Sequence, residues 1–180
     1  MQLHKLKIIK LKKTIFKKIL LILFIVLVAI QFIHPAKNQS TEMPATHIYN
    51  KYATSQDVQQ ILATACNDCH TNNTNYPWYA SIQPVDWWLN DHIKDGKKHF
   101  NMSEFGAYSL RKQYHKLEEV VEQIKEKEMP LSSYTWIHGN AKLSTEQQNK
   151  IIGWATAIMD TMKATYPLDS LIRKKKPTNS

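Results

Sequence analysis

Cys66-Asn67-Asp68-Cys69-His70 is the stretch of this sequence that most constrains its fold. The spacing C-x-x-C-H is that of the attachment site of a c-type haem. Two thiols on one turn can add across the two vinyl groups of a single haem, and the imidazole that follows can become an axial ligand of the iron. The motif therefore predicts one covalent haem c, held by Cys66 and Cys69, with His70 as the proximal ligand.

Other uses of a cysteine pair are less consistent with the rest of the sequence. The chain has only 2 cysteines, which excludes a four-thiolate zinc site. A mixed zinc site needs a second, closely spaced ligand pair, and His92 and His99 are too far apart along the chain to form one. A thioredoxin-like dithiol would follow a strand in a βαβ pattern, which the sequence does not show. Zinc binding and dithiol chemistry remain the alternatives to haem.

The first 33 residues predict attachment to a membrane. Residues 1–18 are rich in lysine and contain no acidic residue, so we expect them to form a cytoplasmic basic segment. Residues 19–33 are apolar and are predicted to be a transmembrane signal-anchor, because the stretch from Thr14 to Ile33 is long enough for a span of about 20 residues. The uninterrupted run Ile19–Ile30 alone also fits the apolar region of a cleaved signal peptide. The following residues lack a small-x-small cleavage site, which favours an anchor.

The charge distribution predicts the orientation and argues against nucleic acid as a partner. Lysines before the apolar run favour a single-pass inner-membrane protein with a cytoplasmic N-terminus and a periplasmic haem domain. Covalent haem attachment takes place on that same side. The net charge of +9 comes from this flank and from Arg173–Lys176, in a basic tail predicted at 166–180. The remainder is nearly neutral and has no nucleic-acid footprint.

The rest of the chain predicts an all-α domain. Residues 34–53 look like a linker, and residues 54–165 show helical periodicity with almost no strand signal. A capping box at Thr54 to Asp57 predicts a helix whose apolar face, Val58, Ile61, Leu62 and Ala65, leads to Cys66. Further helices are predicted from Pro84 to Gly96, from Tyr108 to Lys127 before Pro130, and after a capping box formed by Ser144 and Gln147.

A low-spin electron carrier needs a second axial ligand on the other face of the haem. Met129 is the first candidate, because it follows a predicted helix and precedes Pro130, which favours an extended conformation. His92 and Met102 are the alternatives, and His99, His115 and His138 are weaker ones. The sixth position could also be open.

These residues resemble the bacterial haem-binding domain family. The resemblance covers roughly residues 45–160 and is carried by Ala65–Asn72, Tyr76–Tyr79, Ile82–Val85, Trp88-Leu89, His92-Ile93, Phe100-Asn101, Met129-Pro130, Tyr134, His138 and Leu143. It implies haem binding through Cys66, Cys69 and His70 in a cytochrome c-like helical domain, and it implies no particular reaction. Thr71 stands where members often have serine, and Met102 where an aromatic residue is common.

Three functions follow as hypotheses. We expect a membrane-anchored electron carrier, not an enzyme, that exchanges electrons with periplasmic or membrane redox partner proteins. A peroxidase-type enzyme would need an open iron position and a distal acid–base group such as His92 or His99. A haem-based sensor or binding module is the third possibility.

Overall fold

The structure, a computed structural model, describes residues 2–172, with side chains from Lys10 onward. Within this range every regular element is helical and no strand occurs, which confirms the all-α prediction. The basic cluster Arg173–Lys176, which the sequence assigns to a tail, lies outside the described residues.

The described residues form α-helices with short 3-10 helices between some of them. The α-helices are α1 (Gln2–Ile30), α2 (Ile48–Lys51), α3 (Gln56–Ala65), α4 (Asn67–His70), α5 (Val85–His99), α6 (Leu110–Lys125), α7 (Ser132–Ile137), α8 (Thr145–Thr165) and α9 (Leu168–Leu171). The 3-10 helices are Trp78–Ser81, Met102–Ala107 and Gly139–Ala141.

The chain divides into two compact units. Among the described residues, the larger unit comprises 38–75 and 92–172 and contains the C-x-x-C-H turn. Its core forms where α6 packs on α8, with α3 against α8 and α9 against α6. The fully buried side chains there include Ile48, Phe105, Leu117, Ile151 and Met162. Burial of these apolar groups is the main stabilising term, at roughly 25 cal/mol per Å² removed from water.

The smaller unit comprises the described residues 2–37 and 76–91. Its long helix α1 exposes apolar side chains on all sides: the large apolar side chains from Ile19 to Val28 are between 44% (Val28) and 62% (Phe24) exposed to solvent. Among residues 2–172, no helix combines the length and the apolar character needed to cross a membrane. The transmembrane helix predicted at 19–33 is therefore not found: α1 ends at Ile30, and Lys17 and Lys18 lie in the same helix immediately before the apolar run.

Two predicted helix starts have different outcomes. Helix α8 begins with the predicted capping box, in which the Ser144 side chain accepts from the Gln147 amide and the Gln147 side chain accepts from the Ser144 amide. Helix α3 begins one residue later than predicted, with Ser55 at the N-cap. Thr54 instead accepts a hydrogen bond at 3.0 Å from the Trp154 indole, which joins the start of α3 to α8.

Helix α6 ends in a Schellman motif, so Pro130 is not what stops it. Lys127 adopts a left-handed conformation with φ of 61°. Its amide donates to the Ile124 carbonyl at 3.3 Å, and the Glu128 amide donates to the Gln123 carbonyl at 3.0 Å. These two bonds satisfy carbonyls that the end of a helix would otherwise leave unpaired. The Met129 amide also donates to the Gln123 carbonyl, at 3.3 Å, so Met129 leaves the helix end in a fixed direction.

Residues 34–53, predicted to be a linker, take part in the packed structure. His47 and Ile48 are 4% and 0% exposed. The Thr46 carbonyl accepts from the Gly106 amide at 2.7 Å, and the Thr46 hydroxyl donates to the Ser103 carbonyl at 2.8 Å. Helix α2 is only one turn long, too short to show a periodicity in the sequence.

Candidate haem-attachment site

The C-x-x-C-H residues form a single helical turn directly after α3. The backbone of Cys66 leaves helical space, with φ of −130° and ψ of −39°, and α4 begins at the next residue. The Cys66 carbonyl then accepts from the Cys69 amide at 3.2 Å and from the His70 amide at 3.0 Å. The turn therefore fixes both thiols and the imidazole on one short piece of backbone.

His70 is oriented by a backbone carbonyl distant in the sequence. Its Nδ1 lies 2.8 Å from the Phe100 carbonyl oxygen, so Nδ1 carries the proton and donates. Burial lowers the pKa of His70, and the hydrogen bond to Phe100 partly opposes that shift. The ring is therefore neutral at physiological pH, and its Nε2 keeps a free lone pair, which is the form of histidine that binds a metal. The carbonyl fixes the tautomer in the way that partners of metal-ligating histidines do.

Both thiols are unpaired and are held in the protonated form. Burial raises the pKa of Cys66 to about 12, and the neighbouring Cys69 adds to the shift. Burial, followed by the charge of Asp68, raises the pKa of Cys69 to about 11. Reactive dithiols of redox enzymes have lowered pKa values, because the thiolate is the nucleophile. This environment argues against the dithiol alternative.

Helix α5 lies against the attachment turn at Gly96. A Cβ atom at this position would lie 2.7 Å from the Cys69 carbonyl oxygen and 3.1 Å from the Cys69 Cβ. Gly96 does not end the helix as predicted, since α5 continues to His99. A glycine is required here because the backbone of α5 lies directly against that of Cys69 and leaves no room for a Cβ. This is a contact between distant segments, which the rules for helix ends do not consider.

A polar network that sequence reasoning missed holds the segment that carries the Phe100 carbonyl. The Asn101 side chain, 6% exposed, donates to the Asn72 side chain at 2.9 Å and accepts from the Ser103 amide at 3.0 Å. Asn72 in turn donates to Glu104 at 2.7 Å, and its amide donates to the Ser103 hydroxyl at 3.0 Å. The loop after His70 is thus bonded to the residues that follow Phe100. The only signal in the sequence was the Phe100-Asn101 pair in the family resemblance.

Asp68 connects the attachment turn to α7. Its Oδ2 accepts from the Tyr134 hydroxyl at 2.8 Å, and its Oδ1 accepts from the Asn75 amide at 3.0 Å. The Tyr134 ring stacks on His138, with centroids 4.4 Å apart. The segment that follows Met129 is therefore tied to the motif through one carboxylate.

The two methionine candidates lie in different surroundings. Met129 is half-buried at the end of α6, packed against the core, and its peptide bond to Pro130 is cis. Met102 is 0% exposed and is part of the same core as Phe105. Met102 is buried among apolar side chains, so packing in the core is enough to explain a methionine at this position.

The candidate histidines are dispersed. His92 is half-buried within α5, and His99 is exposed at its end. His115 is exposed on α6 and pairs with Glu119 at 3.0 Å. In residues 2–172 there is no group of three or more His, Cys, Asp or Glu side chains that could hold a metal ion, so the zinc alternative finds no ligand set.

Comparison with known proteins identifies the class. The model of the haem-binding domain family matches residues 25–157, and the chain therefore belongs to this family and binds haem. No curated protein and no solved structure matches the chain.

The residues of the attachment turn fit a haem. Two protonated thiols lie on one turn, and the adjacent imidazole is neutral with Nδ1 occupied by a carbonyl. Cys66, Cys69 and His70 would hold the group, and the haem would supply a one-electron iron couple.

Proposed function

We propose that this protein carries one covalently bound haem c and transfers electrons outside the cytoplasm. The hydrogen bond from His70 Nδ1 to the Phe100 carbonyl, beside two protonated thiols, is the observation that carries the proposal. An axial histidine needs its second ring nitrogen engaged to keep one orientation and one tautomer. A zinc or dithiol site would need further ligands or a lowered thiol pKa instead.

Attachment consumes the two protonated thiols. At each of Cys66 and Cys69 the S–H bond breaks, the sulfur bonds to one vinyl carbon, and the hydrogen is added to the other. No group leaves and no external oxidant is needed.

Met129 is proposed as the distal ligand. The Schellman motif at the end of α6 fixes the direction of the chain at Met129, and the hydrogen bond from Tyr134 to Asp68 ties the segment after it to the attachment turn. A thioether ligand raises the reduction potential and closes the iron to small molecules, which favours electron transfer over catalysis. Met102 and His92 are the residues to test against it.

The N-terminal segment is proposed to deliver the domain to the periplasmic side and to hold it at the inner membrane. Lysines precede an apolar run, and no small-x-small cleavage site follows. The basic end stays in the cytoplasm under this proposal. Retention at the membrane would keep the haem near membrane or periplasmic redox partners. The intact mass of the purified protein distinguishes a retained segment from a cleaved one.

Absorption spectra of the purified full chain, made together with haem-attachment machinery, test the assignment. We expect covalent haem with a low-spin spectrum and a methionine-to-iron charge-transfer band. Met129→Ala should remove the band, whereas Met102→Leu, a volume-conserving change in the core, should keep it. A band that survives Met129→Ala would reject Met129. A high-spin spectrum that responds to carbon monoxide would reject electron transfer, and no covalent haem would reject the proposal.

A further inference from the structure

The smaller unit has an exposed apolar surface beyond helix α1. Phe32 and Ile33, directly after the helix, are 83% and 59% exposed. Trp78 and Ile82, from the second segment of the same unit, are 80% and 44% exposed. A soluble domain rarely exposes several large apolar side chains in connected segments unless they meet a partner.

Hydrogen bonds fasten these two segments to each other. Gln31 and Gln83 bond reciprocally, with the Gln83 amide donating to the Gln31 side chain at 2.9 Å and the Gln31 side chain donating to the Gln83 carbonyl at 3.3 Å. The Gln83 side chain and the Trp87 indole both donate to the Ile33 carbonyl, at 2.6 and 3.0 Å. Ile82, next to Gln83, is therefore held at the end of the apolar helix.

Charge is scarce beside the exposed apolar side chains of this unit. Residues 1–37 contain no acidic residue, and residues 76–91 contain only Asp86 and Asp91. Asp86 is 1% exposed and accepts from His34 at 2.7 Å and from Lys37 at 3.3 Å, so its charge is compensated inside the unit. The lysines of residues 1–18 lie at the other end of α1, so the surface next to Phe32 and Ile33 is apolar and nearly uncharged, which suits contact with a bilayer.

We propose that Phe32, Ile33, Trp78 and Ile82 form a lipid seat, which rests on the headgroup boundary of a bilayer and holds the unit against it. The seat continues the apolar surface of α1, and tryptophan is the residue that prefers this boundary, because its ring is apolar and its N–H stays in contact with water. The proposal rests on retention of the N-terminal segment and is independent of the haem ligands.

Depth-dependent quenching of tryptophan fluorescence tests the lipid seat. The full chain is reconstituted in vesicles of phosphatidylethanolamine and phosphatidylglycerol, with acyl chains brominated near the headgroup or left unbrominated. The ratio of the two intensities cancels quenching by any bound haem. Trp78→Phe removes the indole of the seat, and Trp136→Phe is the matched control, since Trp136 is 85% exposed but belongs to the larger unit.

We expect the brominated lipid to quench the wild type, the quenched fraction to fall about twofold in Trp78→Phe, and no change in Trp136→Phe. Equal quenching in wild type and Trp78→Phe on vesicle-bound protein would overturn the seat while leaving membrane retention intact. Failure of the chain to bind vesicles would overturn both. Burial of Trp78 between two copies, seen as protection that persists in detergent and depends on protein concentration, would also overturn it.

Discussion

The Tyr134 hydroxyl donates to Asp68 Oδ2 at 2.8 Å, across 66 residues of sequence. The carboxylate lies between the two cysteines of the motif, and the tyrosine lies five positions after Met129. This bond is a direct link between the residues that would hold the haem and the segment that would supply its distal ligand.

Removal of the hydroxyl in Tyr134→Phe should lower the free energy of unfolding by about 1 to 2 kcal/mol, because a half-buried carboxylate loses a charge-assisted bond. Urea unfolding followed by circular dichroism measures the change. Asp68→Asn completes a double-mutant cycle, in which the two effects should not add. Simple additivity would show that the bond contributes nothing.

Gly96→Ala should destabilise the protein by about 1 to 3 kcal/mol, since its Cβ would lie 2.7 Å from the Cys69 carbonyl oxygen and force α5 away. Gly153→Ala is the matched control within α8, where a Cβ meets no atom within 4 Å. The control should be stabilising by about 0.5 to 1 kcal/mol, because alanine favours the helix. Similar effects from both variants in thermal unfolding would contradict the close approach.

Asn101→Ala should lower stability by about 1 to 3 kcal/mol, because the buried Ser103 amide and the Asn72 Oδ1 lose the partners that Asn101 provides. It should also change the reduction potential of the haem-loaded protein, since the segment that presents the Phe100 carbonyl to His70 becomes less rigid. The exposed neighbour of the loop, Asn73, gives the control variant Asn73→Ala, which should change neither quantity. A loss of stability with an unaltered potential would limit Asn101 to a structural role.

Lys127→Gly should raise the free energy of unfolding by about 0.5 to 1 kcal/mol, because glycine adopts the left-handed conformation of this position without a Cβ penalty. The spectrum of the bound haem should be unchanged, since the Schellman hydrogen bonds use only backbone atoms. Destabilisation on this substitution would mean that the lysine side chain, and not the backbone, ends α6.

Stability should decrease as the pH falls below about 6.5, in part through His47. Burial lowers the pKa of His47, and its Nδ1 accepts from the Tyr49 amide at 3.2 Å, which requires an unprotonated nitrogen. The unfolded imidazole therefore binds a proton that the folded one does not, and the free energy of unfolding decreases toward acid. His47→Asn keeps a helix-capping oxygen and should flatten the dependence between about pH 5 and 7. If the free energy of unfolding of His47→Asn fell between pH 8 and pH 5 as steeply as that of the wild type, His47 would be excluded as a contributor.

Local patterns in the sequence predicted the elements that depend on local physics. The apolar face Val58, Ile61, Leu62 and Ala65 is buried as its spacing indicates, and the Ser144 capping box forms. An apolar face repeats every turn of a helix, and a capping box lies within one turn. A short stretch of sequence therefore contains all the information that is needed to predict either of them.

Contacts between distant segments could not be predicted in this way. The partner of His70 is the carbonyl of Phe100, an atom that every residue possesses, so no residue type marks it. Gly96 resembled a helix end because glycine often occupies one, whereas the contact that demands it comes from Cys69 in another segment. The lysines at positions 17 and 18 counted as a cytoplasmic flank in the sequence, but in the structure they lie on the same helix as the apolar run.

The contact between Gly96 and Cys69 also bears on how a newly made chain matures. Under the covalent attachment proposed above, the attaching enzymes would need access to the C-x-x-C-H peptide, and α5 lies against that peptide so closely that a Cβ at Gly96 would clash with Cys69. Attachment is thus expected on a partly folded chain, with the arrival of α5 as the later step. A chain that folds too soon would shield its own thiols, so the timing of folding, as well as the motif, would set the yield of mature protein.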